Sequence, residues 1–202
     1  MSTSAVLLAA YAVALARVTG SNPAVIQVVV NNRFRRGFAR MVSHLCNFGL
    51  CVIDVADITC DEAVARAWRS AVHAYKHGYC NPVMRADLVR RIGRERGQEI
   101  DLQCFLNDRR MQSRQEPGGQ PQDPADVRAA LPKSALTWGD RTDDPGERCY
   151  LHINDVPGII QYELLADTRY VPPADIQAIL RGLEAVTVEA ALDPAAPTGI
   201  RP

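Results

Sequence analysis

The sequence predicts one α/β domain, a two-layer sandwich in which helices cover a mixed β-sheet. Three observations support this class. Runs of β-branched residues alternate with helical patterns, a turn sequence separates two neighbouring strand-like runs, and 47% hydrophobic residues against 23% charged residues suffice for one core. The sequence has no internal repeat, so residues 1–202 are expected to form a single unit.

The first half of the sequence begins with a predicted helix, and two predicted strands follow it. Ser2 or Thr3 can cap this helix, and Gly20 stands where a C-terminal cap is expected. The apolar residues at helical spacing between them are Leu7, Leu8, Tyr11, Leu15 and Val18. Residues 25–30 and 50–55 are nearly continuous apolar runs rich in β-branched residues, which is typical of strands covered on both faces.

A long helix is predicted next, because Thr59 and Glu62 form a capping box. Its apolar stripe, expected to face the core, is Val64, Ala67, Trp68, Ala71, Val72 and Tyr75. A further helix is predicted over residues 84–96 before Gly97, and residues 100–106 alternate as a half-buried strand.

The second half contains two predicted loops and a hairpin. Residues 112–126 are polar and rich in Pro, Gly and Gln, which predicts a long exposed loop inside the domain, and residues 140–147 predict a second loop. Residues 149–154 and 159–166 predict two strands around a turn at residues 155–158. After two prolines, a final amphipathic helix is predicted from Ile176, Ile179, Leu180, Leu183 and Val186.

The charge balance and the first apolar run limit the cellular compartment and the partners that the sequence predicts. Basic and acidic residues both number 23, so the net charge is zero and no nucleic-acid or membrane partner is predicted. Residues 5–16 resemble a secretory signal, but no basic residue precedes them and Arg17 ends the run too early for a membrane span. We therefore expect a cytoplasmic protein.

The six cysteines predict reduced thiols rather than a disulfide framework. They include no CxxC pair, and Cys46 and Cys51 would lie on opposite faces of one strand, about 16 Å apart at ~3.3 Å per residue. The positions are Cys46, Cys51, Cys60, Cys80, Cys104 and Cys149.

Local motifs give little support to an independent enzyme. His73, His77 and Cys80 have the spacing of metal ligands on one helix face, but they are only three, and both histidines fall on the solvent face of the predicted helix. No metal site is therefore predicted. A small enzyme that uses Cys80 or His77 is a weakly supported alternative, and the sequence has no GxSxG, GxxxxGK[ST], GxGxxG or HExxH motif.

One basic cluster is present: Arg33, Arg35, Arg36 and Arg40. Guanidinium groups bind phosphate through paired hydrogen bonds, so Arg35 and Arg36 are candidate phosphate contacts. The alternative is a solvated edge.

Several segments, in order and at matching separation, carry a family resemblance. Residues 3–33 contain a helix, a Thr-Gly turn and a strand that ends at Arg33, and Asn47 follows fourteen residues later in the segment MVSHLCN. Further matches are residues 74–77, 102–107 and 164–183. Together they resemble the C-terminal lobe of the condensation domain of nonribosomal peptide synthetases, which has the chloramphenicol acetyltransferase-like fold.

The resemblance implies one wall of a tunnel between two lobes. In that family, two carrier proteins deliver phosphopantetheine thioesters, and the acceptor amine attacks the donor thioester to form an amide in antibiotic and other secondary-metabolite biosynthesis. Catalysis is attributed to a His-His-x-x-x-Asp-Gly motif in the N-terminal lobe. This sequence has no His-His pair, so we expect no catalytic residue, no directly bound cofactor and no activity in the chain alone.

The resemblance also assigns residues. Asn47, with His44 and Phe48, is expected to line the tunnel, although Asn47 could simply end a strand. Arg33 is expected to pair with the aspartate of the motif in the other lobe, and without that partner it would be solvated or paired with another chain. Ser43 and Phe48 replace the usual Gly and Thr.

Two functions are compatible with this resemblance. The first is the C-terminal half of a condensation domain, whose partners are the N-terminal lobe and peptidyl or acyl carrier proteins. The second is a free-standing, non-catalytic module that docks to a synthetase or carrier protein. In both cases an exposed apolar patch is expected where the other lobe would lie.

Overall fold

A computed structural model of the protein describes residues 2–34, 36–110, 123–141 and 146–201. Five helices of at least seven residues and five strands occur in these ranges. In chain order they are α1 (Thr3–Thr19), β1 (Ala24–Asn31), β2 (Cys46–Ile53), α2 (Cys60–His77), α3 (Pro82–Arg96), β3 (Cys104–Asp108), α4 (Pro124–Ala130), β4 (Cys149–Val156), β5 (Ile159–Ala166) and α5 (Pro173–Leu192). Short 3₁₀ turns occur at Asn32–Phe34 and Leu131–Lys133.

The strands form one mixed sheet in the order β2-β1-β3-β4-β5. β1 pairs with β3 and β3 with β4 in parallel, whereas β2 and β5 pair antiparallel at the two edges. Helices α1, α2 and α5 pack together over one face of this sheet. The predicted α/β class with a mixed sheet is therefore confirmed.

Most predicted elements are present, with shifted ends. Ser2 caps α1, and Gly20 ends it in the left-handed conformation with φ of 69°. The predicted strand at residues 100–106 begins only at Cys104, because the Asp101 carboxylate accepts a hydrogen bond from the Gln103 amide and forms a local turn. The hairpin of β4 and β5 turns at Pro157 and Gly158, as expected.

The two predicted loops are only partly described. Residues 111–122 and 142–145 lie outside the described residues. The prediction that the first loop extends to residue 126 is wrong, because α4 begins at Pro124. There the Asp123 side chain accepts a hydrogen bond from the Ala125 amide, and proline occupies the first turn.

The predicted apolar stripe of α2 is only half correct. Its buried residues are Cys60, Ala63, Val64, Ala67, Ala71 and Ala74. Trp68, Val72 and Tyr75 are instead 44–47% exposed. The small side chains allow α2 to approach β2 closely, so the larger residues lie at the margin of the contact.

This close approach predicts a steric limit at Gly49. A Cβ atom there would lie 2.7 Å from the Ala74 carbonyl oxygen, a backbone atom that cannot move aside easily. Gly49→Ala should lower the free energy of unfolding by about 1–3 kcal/mol, measured by urea denaturation. Gly139→Ala is the control, because a Cβ at Gly139 meets nothing within 4 Å. Equal stability of the two variants would contradict the prediction.

Candidate functional site

The face of the sheet that points away from α1 is the candidate functional surface, called here the second face. The Tyr11 hydroxyl on α1 contacts the sulfurs of Cys104 and Cys149 at 3.4 and 3.3 Å, so these residues point toward the helices. Side chains alternate along a strand, so their neighbours Phe105 and Tyr150 point toward the second face.

A row of aromatic rings crosses the second face. Phe48 on β2 contacts Phe105 on β3 at a centroid distance of 4.9 Å, and Phe105 contacts Tyr150 on β4 at 5.3 Å. Tyr150 in turn contacts the His152 ring at 4.1 Å. We call these four residues the aromatic row. It gives the second face an apolar centre that ends in one imidazole.

His152 is buried at 4% relative exposure, and its hydrogen bonding fixes its tautomer. The Arg109 guanidinium lies 3.2 Å from His152 Nε2 and can only donate, so Nε2 accepts and the ring proton resides on Nδ1. Nδ1 is buried without a hydrogen-bond partner. Burial, followed by the positive charge of Arg109, lowers the pKa of His152. The imidazole is therefore neutral near pH 7.

Polar groups flank His152 on both neighbouring strands. Asn107 on β3 and Glu163 on β5 are its register partners. Burial raises the pKa of Tyr150, and the side chain of Asn107 acts on it in the opposite direction. Arg109 lies 4.0 Å from the Glu163 carboxylate, so its charge is shared between this carboxylate and the imidazole. This end of the aromatic row is polar but locally balanced in charge.

The structure separates the three residues that were expected to line a tunnel. Phe48 lies on the second face in the aromatic row. Asn47 points to the opposite side, where its Nδ2 donates to the Cys80 carbonyl oxygen at 3.0 Å just after α2. His44 precedes β2, and its Nε2 lies 3.1 Å from the Cys46 sulfur. Asn47 and Phe48 therefore do not share a face in this chain.

Arg33 holds a segment of its own chain. Its guanidinium donates to the carbonyl oxygens of Phe38 at 3.4 Å, of Ser43 at 2.9 Å and of Met41. No carboxylate among the described residues is within ion-pair distance of Arg33. The guanidinium is thus neither simply solvated nor ion-paired, because backbone oxygens provide its acceptors.

The remaining candidate residues do not converge on one site. Arg36 is exposed, and Arg35 lies outside the described residues. His73 and His77 are exposed on α2 with ring centroids 4.5 Å apart. Within the described residues, no group of three His, Cys, Asp or Glu side chains could hold a metal.

The buried cysteine thiols differ in acidity, because the hydrogen bond with Cys104 lowers the pKa of Cys149 whereas burial raises that of Cys60. All six cysteines fall within the described residues and are free thiols. Burial raises the pKa of Cys51 to about 11, so its thiolate is scarce near neutral pH.

Sequence reasoning missed His152 and Arg109. The segment Cys149-Tyr150-Leu151-His152-Ile153 alternates between the two faces, and this alternation already places a histidine beside a tyrosine on the face away from the core. What the sequence could not show is the arginine from the end of β3 that fixes the tautomer.

Removal of the Arg33 guanidinium should loosen the segment that it holds. A lysine ammonium at this position cannot reach three carbonyl oxygens as a planar guanidinium does, so Arg33→Lys should increase amide hydrogen exchange at Met41 and Asn32 about tenfold. These amides donate to the carbonyl oxygens of Phe38 and Leu45. Arg36→Lys is the control on an exposed arginine. Unchanged exchange in Arg33→Lys would contradict the prediction.

The neutral state of His152 predicts a pH dependence of stability. A histidine whose folded pKa is lowered stabilises the fold fully above its unfolded pKa of about 6.5, and this stabilisation is lost as pH falls below that value. Urea titrations should therefore show that the free energy of unfolding falls more steeply with decreasing pH in the wild type than in His152→Gln. The two slopes should differ by at most about 1.4 kcal/mol per pH unit. Gln keeps an acceptor for Arg109. The exposed His73→Gln variant should keep the wild-type slope, and a wild-type slope in His152→Gln would refute the prediction.

No described helix is both long and apolar enough to cross a membrane. No protein-family model matches the chain, and no curated protein matches it.

Solved structures do resemble the chain over nearly its full length. The first condensation domain of the CDA synthetase is 16% identical with a TM-score of 0.64, and the match covers 96% of this chain and 40% of that one. The starter condensation domain of rhizomide synthetase is 17% identical with a TM-score of 0.64 and coverages of 97% and 44%. A structure described as the basis of condensation domain-mediated chain release from the enacyloxin polyketide synthase is 19% identical, with a TM-score of 0.58 and coverages of 95% and 36%.

This chain therefore spans about 40% of the length of these relatives. At this identity the likeness concerns the fold. The five-stranded mixed sheet with its helical layer is the fold of part of a condensation domain, within the chloramphenicol acetyltransferase-like class, as the sequence resemblance implied.

Proposed function

We propose that this chain acts as the C-terminal lobe of a condensation domain and forms one wall of a tunnel in which an amine attacks an acyl thioester. The observation that carries the proposal is the structural match, which covers 96% of this chain and 40% of the CDA synthetase condensation domain. A match of this extent is what one lobe of a two-lobed domain would produce.

The second face supplies the surface for this wall. The aromatic row gives it an apolar centre, and Leu50 and Val52 on the edge strand β2 are 43% and 51% exposed. Both alternate with Cys51 and Ile53, which are buried toward the helices, so they lie on the side of Phe48. This exposed apolar edge fits a surface that a second lobe covers.

The proposed chemistry assigns this chain a positioning role. In amide formation the amine nitrogen bonds to the thioester carbonyl carbon, the carbon–sulfur bond breaks, and the amine loses a proton as the thiol leaves. A histidine of the other lobe would act on the amine. The aromatic row would exclude water and orient the reactants, which raises the effective concentration of the amine.

The phosphopantetheine arms of the carrier proteins would supply the reactive thioesters. Such an arm is an uncharged chain of amides and methylenes outside its phosphate, so an apolar wall with isolated polar groups suits it. Phe48, Tyr150 and Asn107 offer these properties on the second face, and exposed Arg36 is a candidate for the phosphate.

Arg33 is compatible with a second lobe in this proposal. A guanidinium has five N–H groups, and three hydrogen bonds to carbonyl oxygens leave donors available. An aspartate of the other lobe could accept hydrogen bonds from these remaining N–H groups. Such a bond would order the segment between β1 and β2 against the partner.

The second candidate function is a non-catalytic docking module. The exposed apolar edge at Leu50 and Val52 favours it equally, because a docking surface needs only complementarity. The two functions differ in whether an amide product forms.

The test starts from the native polypeptide, whose length an antibody to this lobe would report on a blot of producing cells. That polypeptide or complex is purified and given two phosphopantetheinylated carrier proteins, one acylated as donor and one loaded with glycine as acceptor. Mass spectrometry measures the amide. We expect product from the wild type and a loss of about tenfold or more in Phe48→Glu, which places a charge on the proposed wall.

Trp68→Glu is the matched control, since Trp68 is 46% exposed on α2, away from the second face. Carrier binding without product would overturn the catalytic proposal in favour of the docking module. Absence of both binding and product would overturn both.

A further inference from the structure

We propose that helix α3 is a docking surface for an acidic, amphipathic helix of a partner protein. This inference rests on the residues of α3 and is independent of the proposed function. Among its fifteen residues, all of them described, α3 contains no buried side chain. Only Arg85, Val89, Ile92 and Gly93 are partly covered, and they occupy one narrow face.

Local interactions, rather than core packing, define this helix. The Asn81 side chain accepts hydrogen bonds from the Val83 and Met84 amides, and Gly97 ends the helix in the left-handed conformation. A helix of about 15 residues with little tertiary packing is only marginally stable in water, so a partner that covers it would stabilise it.

The outward surface combines apolar and basic groups. Val83, Met84 and Leu88 are 65%, 70% and 45% exposed. These exposed apolar side chains can pack against the apolar stripe of a second helix, and methionine adapts readily to such a partner.

The excess positive charge of α3 indicates which kind of partner would bind it. The helix contains five arginines against Asp87 and Glu95, an excess of three positive charges, in a chain whose net charge is zero. The two acidic residues already pair with Arg90 and Arg91. The other three arginines, Arg85, Arg94 and Arg96, have no ion pair to a described residue. A complementary surface is therefore acidic with apolar residues between the charges.

The pattern favours a protein over a lipid or nucleic acid. Met84, Leu88 and Ile92 follow one another at i, i+4 and i+8 along one stripe of α3, but at 100° per residue Glu95 falls at the angular position of this stripe. The stripe is therefore not the uninterrupted apolar face with which a helix lies in a membrane. Asp87 and Glu95 interrupt the basic surface that a phosphate backbone would require.

The test measures binding by fluorescence anisotropy. The probe is a labelled 20-residue synthetic helix with Leu along one stripe and Glu beside it, and its counterpart has Gln in place of Glu. We expect the acidic peptide to bind the full chain with a Kd of about 10 μM and the neutral peptide to bind about tenfold more weakly. Replacement of the three arginines Arg85, Arg94 and Arg96 by Gln should weaken binding about tenfold, and so should Met84→Ser with Leu88→Ser.

Matched controls separate this surface from general charge and hydrophobicity. Replacement of Arg69, Arg128 and Arg181 by Gln removes the same charge from other elements and should leave the Kd unchanged. Circular dichroism checks that each variant is folded. Equal binding of both peptides, or equal loss in the control variant, would overturn the proposal. Tighter binding to vesicles of phosphatidylglycerol or to single-stranded DNA would overturn it too, in favour of a lipid or nucleic-acid surface.

Discussion

The alternation of side chains along β1, β3 and β4 is the constraint on which both layers of this protein depend. On β1, Ile26 and Val28 enter the core while Gln27 between them points to the second face. The parallel register then brings Phe105 beside Tyr150 on one face and Cys104 beside Cys149 on the other. A shift of one residue would exchange the two sets and place polar groups such as His152 in the core. The register that specifies the core therefore also specifies the candidate site.

The helical layer depends on a second constraint, the small size of the residues where helices meet each other and the sheet. A Cβ at Gly78 would lie 2.7 Å from the Val30 side chain, and a Cβ at Gly182 would lie 3.3 Å from Ala14. Helix α1 itself is rich in alanine and has ten buried residues. Close packing of this kind maximises dispersion contacts but leaves little room for larger side chains. Trp68, Val72 and Tyr75 consequently lie at the exposed margin of α2, although their spacing suggested the core.

The sequence predicted those elements that interactions between neighbouring residues determine. Capping residues and periodicity predicted the helices α1, α2, α3 and α5, and turn residues predicted the β4–β5 hairpin. The second face was less predictable, because its partners come from distant positions: Arg109 follows β3, whereas His152 lies on β4. The opposite orientation of Asn47 and Phe48 follows from strand alternation alone, yet the family resemblance grouped them as neighbours of one tunnel. Likewise, no spacing rule showed that Arg33 would find its acceptors in residues 38–43 of its own chain.

The short segment between α3 and β3 connects the two proposed surfaces. Gly97 ends α3, and five residues later the Leu102 carbonyl accepts a hydrogen bond of 2.6 Å from Gln27 Nε2 on the second face. The same amide group has its Oε1 buried without a partner, so Gln27 depends on this one contact. A partner that shifted α3 would displace Leu102 and leave both polar atoms of the Gln27 amide unsatisfied in a buried position. The fold therefore resists motion of α3 at its C-terminal end.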